Sequence, residues 1–410
     1  MTVSILRGDA RNIPLADNSV DLVVTSPPYF QLRSYRDGGE HYETQIGAEA
    51  TPAEYIDALI DCTREWMRVL KPTGSIFVNL GDKYASSGGH TASGGSSVLA
   101  DDQKDARNLG TTRVPAGSRS KSLLFLPERY RIAATDRLGL IGRAVICWSK
   151  PNGLPESVTD RVRRSHEDWV HLTKQPRYFS AVDEIRESAG QVKPGGRWQG
   201  GVAQGESRTV NPASTLGSSH PLGKLPGSVW EVATQPLTVP AELGVDHFAA
   251  FPLEWPRRLI RGWSPSGICT ACGEGRRPVA DRASTERHNG GRHAISRTNM
   301  DNNQGTGPTT LSIRPDYRIT GYACACPDAT APTRPATVLD PFSGTGTTIL
   351  VADVLGRHGI GIDASADYNR IAAWRTTDPR ERARALGVSP PPARLAGEVP
   401  LFDLADGSRP

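Results

Sequence analysis

Residues 338–348 read VLDPFSGTGTT: a short apolar run ending on an acid, a turn holding Gly344 and Gly346, and the start of a helix. Glycine at both points lets the chain turn tightly and bring its backbone close to a ligand. The helix that follows presents its first N–H groups to whatever the turn holds. A second strand, 359–362, ends on Asp363. An acid about 20 residues on, at the tip of the neighbouring strand, is where dinucleotide folds hold ribose hydroxyls. This succession predicts an α/β domain on a parallel sheet with helical crossovers, and a nucleotide-like ligand at the strand ends. The third glycine of the full dinucleotide fingerprint is missing. A pyrophosphate needs that close approach; a sulfonium-bearing amino acid joined to adenosine does not. The expected ligand is therefore S-adenosylmethionine rather than NAD.

The start of the chain supplies the complementary half. VDLVVTSPPYF, residues 20–30, is an apolar strand with Asp21 as its one charge, broken by Ser26-Pro27-Pro28-Tyr29. Two prolines in succession have fixed φ and no backbone donor, so the strand must end there in a rigid corner. Residues 4–6 form a short strand candidate ending at Gly8-Asp9. Thr51-Pro52-Ala53-Glu54 is a helix start with a capping box. Apolar residues at helical spacing carry that helix to Leu70, where Lys71-Pro72-Thr73-Gly74 stops it before a strand at 75–80. A helix at 127–138, a strand at 142–148 and a final helix at 368–375 complete the expected elements.

Taken together, Ser26-Pro27-Pro28-Tyr29 and Phe342-Ser343-Gly344-Thr345-Gly346 closely resemble the two signatures of the amino-directed DNA methyltransferases. In that family [S/D/N]-P-P-[Y/F] marks the catalytic loop and F-x-G-x-G the S-adenosylmethionine site. The catalytic corner comes first and the glycine loop last, which is the family's β-class order, a circular permutation of the common methyltransferase sheet. The chain ends fit it: GIGIDASADY, 359–368, would run on into SILRGD, 4–9, if the termini were joined. The resemblance then implies cofactor contacts from Asp9, Phe251, Pro252, Asp340, Phe342, Ser343, Gly344, Gly346, Thr347 and Asp363. It further implies a Rossmann-like fold and duplex DNA as partner, with a cognate restriction endonuclease as a candidate second partner. The blocks 45–84 and 148–174 also match the subgroup. In the latter Asn152, Glu156, Asp160, Arg161, Ser165 and His166 form a polar set, which the resemblance places on the target-base side.

The corner suits the chemistry. An exocyclic amine on a base is a poor nucleophile, because its lone pair is delocalised into the ring. Acceptors on its N–H groups favour the reactive form, and the Ser26 hydroxyl with the Pro27 carbonyl would supply them. Pro28 keeps that carbonyl's direction fixed, and Tyr29 offers a ring for a base flipped out of the duplex. Direct displacement needs no cysteine nucleophile, and neither Cys62 nor Cys147 follows a proline. In that family serine in the first position is more common among the cytosine-N4 members, so the resemblance implies cytosine N4 as the acceptor. Adenine N6 is the alternative, and a catalytically silent DNA-binding protein of the same fold is the third reading.

Four of the six cysteines fall as Cys269-x-x-Cys272 and Cys324-x-Cys326. Two such pairs suit a tetrahedral structural zinc, with His288 or His293 as substitute ligands and four unrelated thiols as the alternative.

Gly and Pro, 42 and 32 of 410 residues, call for long connecting segments. The expected plan is a catalytic half at 1–84 and a loop-rich, DNA-contacting and target-recognition region at 85–246 with a sheet segment near 127–174. A cofactor half follows at 247–376, with a cysteine-rich insertion at 267–330, and then a peripheral tail at 377–410. Arg and Lys interleaved with Trp148, Trp169, Tyr178 and Trp198 fit a partner with charge and stackable bases, although the net charge is only +4. No apolar run approaches the ~20 residues of a membrane span and MTVSILRGDA lacks a signal-peptide pattern, so no membrane partner and a cytoplasmic site are expected.

Overall fold

The computed structural model describes residues 3–32, 36–37, 40–41, 45–85, 114–115, 117–153, 155–156, 158–187, 220–243, 250–282, 317–327 and 330–391. Strands β1 (Val3–Arg7), β2 (Val20–Thr25) and β5 (Leu70–Leu80) come from the first part of the chain, with a short pair β3 (Arg36–Asp37) and β4 (Glu40–His41) beyond the corner. β6 (Ile141–Ser149), β7 (His166–Thr173) and β8 (Val229–Glu231) come from the middle. The last part gives β9 (Ile268–Cys269), β10 (Arg277–Arg282), β11 (Tyr317–Ala323), β12 (Thr333–Arg334), β13 (Thr337–Asp340) and β14 (His358–Asp363). The helices are α1 (Pro52–Val69), α2 (Leu126–Leu138), α3 (Glu254–Trp263), α4 (Thr347–Val354), α5 (Ala366–Thr377) and α6 (Pro379–Leu386).

Eight strands form one sheet in the order β1-β14-β13-β2-β5-β7-β6-β8. From β1 to β5 every neighbour is parallel. The expected joining of the chain ends is seen directly: Ile5 pairs with Gly361 and Arg7 with Asp363. β2 is buried along its whole length, as a central parallel strand must be when both faces are covered. Val20 and Val23 pack with α1 and α2 on one side, and Leu22 and Val24 with α3 and α4 on the other. Asp21 is the strand's one charge, and it is held at the sheet's rear by Lys71 at 2.6 Å and the Thr337 N–H at 2.8 Å.

α1 begins as the sequence requires. The Thr51 hydroxyl accepts from the Glu54 N–H at 3.2 Å, and the Glu54 carboxylate accepts from the Thr51 N–H at 3.0 Å. The helix buries Tyr55, Ile56, Leu59, Ile60 and Trp66. The strand after it starts earlier than expected, at Leu70. Leu70 pairs with Val20 and Ser75 with Leu22, so Lys71-Pro72-Thr73-Gly74 bulges out of a continuous strand, which is where a proline is tolerated.

Three features differ from expectation. The sheet is only partly parallel: β7 runs antiparallel to both β5 and β6, an edge built by a hairpin-like return that needs no crossover helix. Trp148 and Trp169 are not presented to a polyanion. They are buried, with Trp255 stacked on Trp169 at 5.2 Å and on Trp230 at 5.1 Å. The tail is not peripheral up to residue 386, because α6 buries Glu381 and Ala385. Trp198, His288, His293 and the low-complexity stretches 86–113 and 188–219 lie outside the described residues. Among the described residues no helix is long and apolar enough to cross a membrane.

Candidate active site

At the C-terminal ends of β1, β14, β13 and β2 a cleft of about 210 Å³ opens. This is where open α/β sheets bind ligands. It is lined by Asp9, Phe251, Phe342, Ser343, Gly344, Thr347 and Asp363, and, from the other half of the chain, by Ser26 and Pro28. The two sequence signatures, far apart in the chain, share one wall because β13 and β2 are sheet neighbours.

The glycine loop is held by two side chains, Asp363 and Arg375. Gly344 (φ +48°) and Gly346 (φ +79°) are left-handed. The Asp363 carboxylate accepts from the Gly344 N–H at 2.8 Å and from the Ser365 N–H at 2.9 Å. Arg375, buried in α5, donates to the Thr345 carbonyl at 3.2 Å and to the Thr347 hydroxyl at 2.9 Å, and it pairs with buried Glu381 at 2.9 Å. Gly346 caps α4 with no side-chain hydrogen bond, and Thr347 at the helix start faces the cleft. The Ser343 hydroxyl is buried without a hydrogen-bond partner among the described residues.

Asp340, expected at the cofactor, is not at the cleft. It is fully buried behind the loop and accepts from Thr25 and Thr348 hydroxyls, both at 2.7 Å, and from the Phe342 N–H at 3.2 Å. Burial pushes its carboxyl up to about 6, against the pull of those donors. Pro252 and Gly346 likewise are not among the residues that line the cleft. Asp9 does line it. Arg11, which the sequence reading missed, holds the Asp9 carboxylate in a 2.6 Å ion pair and keeps it below the usual carboxylate range.

The corner is braced by residues that nothing in the local sequence announces. The Tyr29 hydroxyl lies 2.8 Å from both Asn79 Oδ1 and Glu167 Oε2, which share its one proton, and its ring lies on Gly81, where a Cβ would stand only 2.6 Å away. Ser26 Oγ reaches the same Asn79 oxygen at 3.4 Å. Lys150 pairs with Glu167 and sits 4.2 Å over the Trp148 ring. Burial first, then the Glu167 charge, raises the Tyr29 phenol well above its ordinary value, so it stays a donor. The Pro28 carbonyl accepts from the Tyr55 hydroxyl at 2.8 Å, which fixes the peptide plane leaving the corner.

The polar set expected near the base has mostly internal partners. Asn152 clamps Thr234 through both amide atoms, Glu156 pairs with Arg161, Asp160 with Lys121, and the Ser165 carbonyl accepts from Lys150 N–H. His166 is exposed at the start of β7. Neither Cys62 nor Cys147 reaches the cleft, and burial pushes both thiols up. Of the four cysteines named as metal ligands, Cys269, Cys272 and Cys324 come together, with their sulfurs all within 4.8 Å of one another; Cys326 is outside that group.

An open α/β sheet with a glycine-loop cleft adjoining a Ser-Pro-Pro-Tyr corner defines a methyltransferase-like class. The solved PvuII DNA methyltransferase (cytosine-N4-specific) has the same fold, with a TM-score of 0.50 at 16% identity, over 94% of this chain and 93% of that one. The Type II methyltransferase M.SmaI of Serratia marcescens is 30% identical over 378 residues, which is 90% of this chain and 89% of that protein. M.Cfr9I of Citrobacter freundii is 32% identical over 261 residues, 63% of this chain and 71% of that protein. The DNA methylase family of the N6/N4 type matches residues 20–269 and 332–373. The chain belongs to this family: it is an amino-directed DNA methyltransferase.

Proposed function

We propose that the protein transfers the methyl group of S-adenosylmethionine to the N4 amine of a cytosine flipped out of duplex DNA. The observation that carries this reading is the shared cleft: Ser26 and Pro28 line the same cavity as Gly344 and Asp363. A methyl acceptor at the corner would therefore face a donor on the glycine loop.

The residues present fit that donor. The cleft has aromatic walls from Phe251 and Phe342, two acids from neighbouring strands in Asp9 and Asp363, and the Ser343 hydroxyl, without a partner among the described residues, on the loop. Asp363 is held at the cleft by two backbone N–H groups, where its carboxylate would accept from ribose hydroxyls. Asp9 would stand at the adenine side and Phe251 at the methionine side, with Pro252 packed behind. The cofactor supplies an activated methyl on a sulfonium.

The chain's own work is to hold the base. Ser26 Oγ and the Pro27 carbonyl accept from the target amine, so its lone pair is freed for attack on the methyl. The Asn79–Tyr29–Glu167–Lys150 chain keeps the corner from moving. An arrangement fixed in advance is worth most in a site sheltered from water. No cysteine takes part. The choice of cytosine rests on serine at position 26, and a solved protein of the same fold is described as cytosine-N4-specific. DNA contact and target recognition are assigned to 85–246, a region that presents the exposed Arg163 and Arg177, and a cognate endonuclease would share the recognised site.

Label transfer from tritiated S-adenosylmethionine to duplex DNA tests this. Ser26→Ala should cut transfer by at least ~100-fold while cofactor affinity, read by calorimetry, stays within a few-fold. Equal loss of both would refute the role given to Ser26.

A further inference from the structure

Between α3 and β13 the chain makes a small β-structure separate from the main sheet. β9 and β12 pair antiparallel through Cys269 and Thr333 and form its neck, and β10 and β11 extend from that neck. Three cysteines meet at this neck: Cys269 at the end of β9, Cys272 in the turn after it, and Cys324 just past β11.

The turn brings Cys272 back beside Cys269. The Cys269 N–H donates to the Glu274 carbonyl and the Gly273 N–H to the Cys269 carbonyl, both at 2.9 Å, while Gly273 takes φ +75° with open space around it. The guanidinium of Arg276, beside the cysteines, donates to the Ala331 carbonyl at 2.6 Å. None of the cysteines in the chain is in a disulfide among the described residues.

Zinc thiolate bonds of about 2.3 Å put the sulfurs of a tetrahedral site about 3.8 Å apart. The three sulfurs here, none more than 4.8 Å from another, need only a small contraction to reach it. We propose that Cys269, Cys272 and Cys324 bind a structural zinc ion, with Cys326 turning in as the fourth ligand. Four thiolates around a divalent ion leave a double negative charge, and Arg276 offsets part of it. The ion fastens both strands of the insertion at its neck, and no cysteine of the set touches the methyl-transfer cleft. The inference does not depend on the proposed reaction.

The test is zinc content of the full-length protein, by mass spectrometry of the metal and by release into a zinc-binding dye on thiol modification. We expect about one zinc per chain, lost in Cys272→Ser and retained in Cys147→Ser, with far-UV circular dichroism confirming that each variant is folded. Cobalt substitution should give the intense visible bands of a tetrahedral thiolate site. Cys326→Ser should weaken zinc binding by more than the roughly 10–100-fold that losing an outer partner costs. Metal-free wild-type protein whose Cys272 and Cys324 react freely with a thiol reagent, and whose melting temperature ignores added zinc, would overturn the site. So would full zinc in Cys272→Ser. Unchanged affinity in Cys326→Ser would overturn the four-cysteine assignment.

Discussion

Gly344 and Gly346 stand two residues apart in the same loop, yet the structure gives them different burdens. An alanine at Gly346 (φ +79°) would carry the left-handed strain of about 1–2 kcal/mol that any residue with a Cβ meets there. Its Cβ would also stand 2.7 Å from the Ala372 Cβ and 3.1 Å from its Cα. Carbon atoms pack at about 3.5–4.0 Å, and forcing an extra methyl into a packed site costs about 1–3 kcal/mol. Gly344 (φ +48°) has nothing within 4 Å of its Cβ position, so Gly344→Ala carries the strain alone. The entropy lost from the unfolded chain is the same in both variants and cancels. Gly346→Ala should therefore be less stable than Gly344→Ala by ~1–3 kcal/mol in urea denaturation. Gly344 faces the cleft and Gly346 does not, so Gly344→Ala should weaken S-adenosylmethionine in calorimetry out of proportion to its small loss of stability. Equal destabilisation of the two, or a larger loss at Gly344, would refute this account of how α5 sets the loop.

Three other outcomes follow from the same geometry. Tyr29→Phe keeps the ring on Gly81 but removes the donor to Asn79 and Glu167; it should cost ~1–2 kcal/mol and slow methyl transfer in single-turnover assays at unchanged cofactor affinity, and an unchanged rate would show that the hydroxyl does not position the corner. Arg375→Ala leaves the buried Glu381 carboxylate with Arg384 as its one remaining ion-pair partner, so the protein should lose stability in urea denaturation, but by less than the ~3–5 kcal/mol of a fully stranded buried charge, with partial recovery when Glu381→Gln is added; no recovery would place the loss in the loop contacts alone. His171 is stacked on Phe77 at 4.1 Å, and burial lowers its imidazole to about 3. It folds neutral, so its contribution is complete above the unfolded value of ~6.5 and is lost as pH falls toward 3. His171→Gln should flatten the acid limb of a stability–pH curve, and an identical limb would assign acid sensitivity to other groups.

Where function constrained neighbouring residues, the sequence was readable. The capping box at Thr51 and Glu54 and the glycine loop are local patterns. The pairing of β1 with β14 followed from motif order, since a permuted chain must bring its ends to adjacent strands. What escaped depended on distant partners. The antiparallel course of β7 is set by pairing with β5 and β6, and a strand's own residues do not encode its direction. Trp148 and Trp169 looked like stacking platforms because an aromatic beside arginines reads the same whether it faces a base or a core. Asp340 sits in a signature that names a cofactor, but its role is decided by Thr25 and Thr348 meeting it across the sheet. Asn79, Glu167 and Lys150 come from three separate strands or strand ends, and only tertiary structure makes them one network behind Tyr29.

The most direct measurement is nucleoside mass spectrometry of duplex DNA incubated with the protein and S-adenosylmethionine, with Ser26→Ala alongside. The account predicts N4-methylcytosine from the wild type and almost none from the variant. N6-methyladenine in its place would contradict the assignment to cytosine, and equal product from Ser26→Ala would contradict the proposed chemistry of the corner.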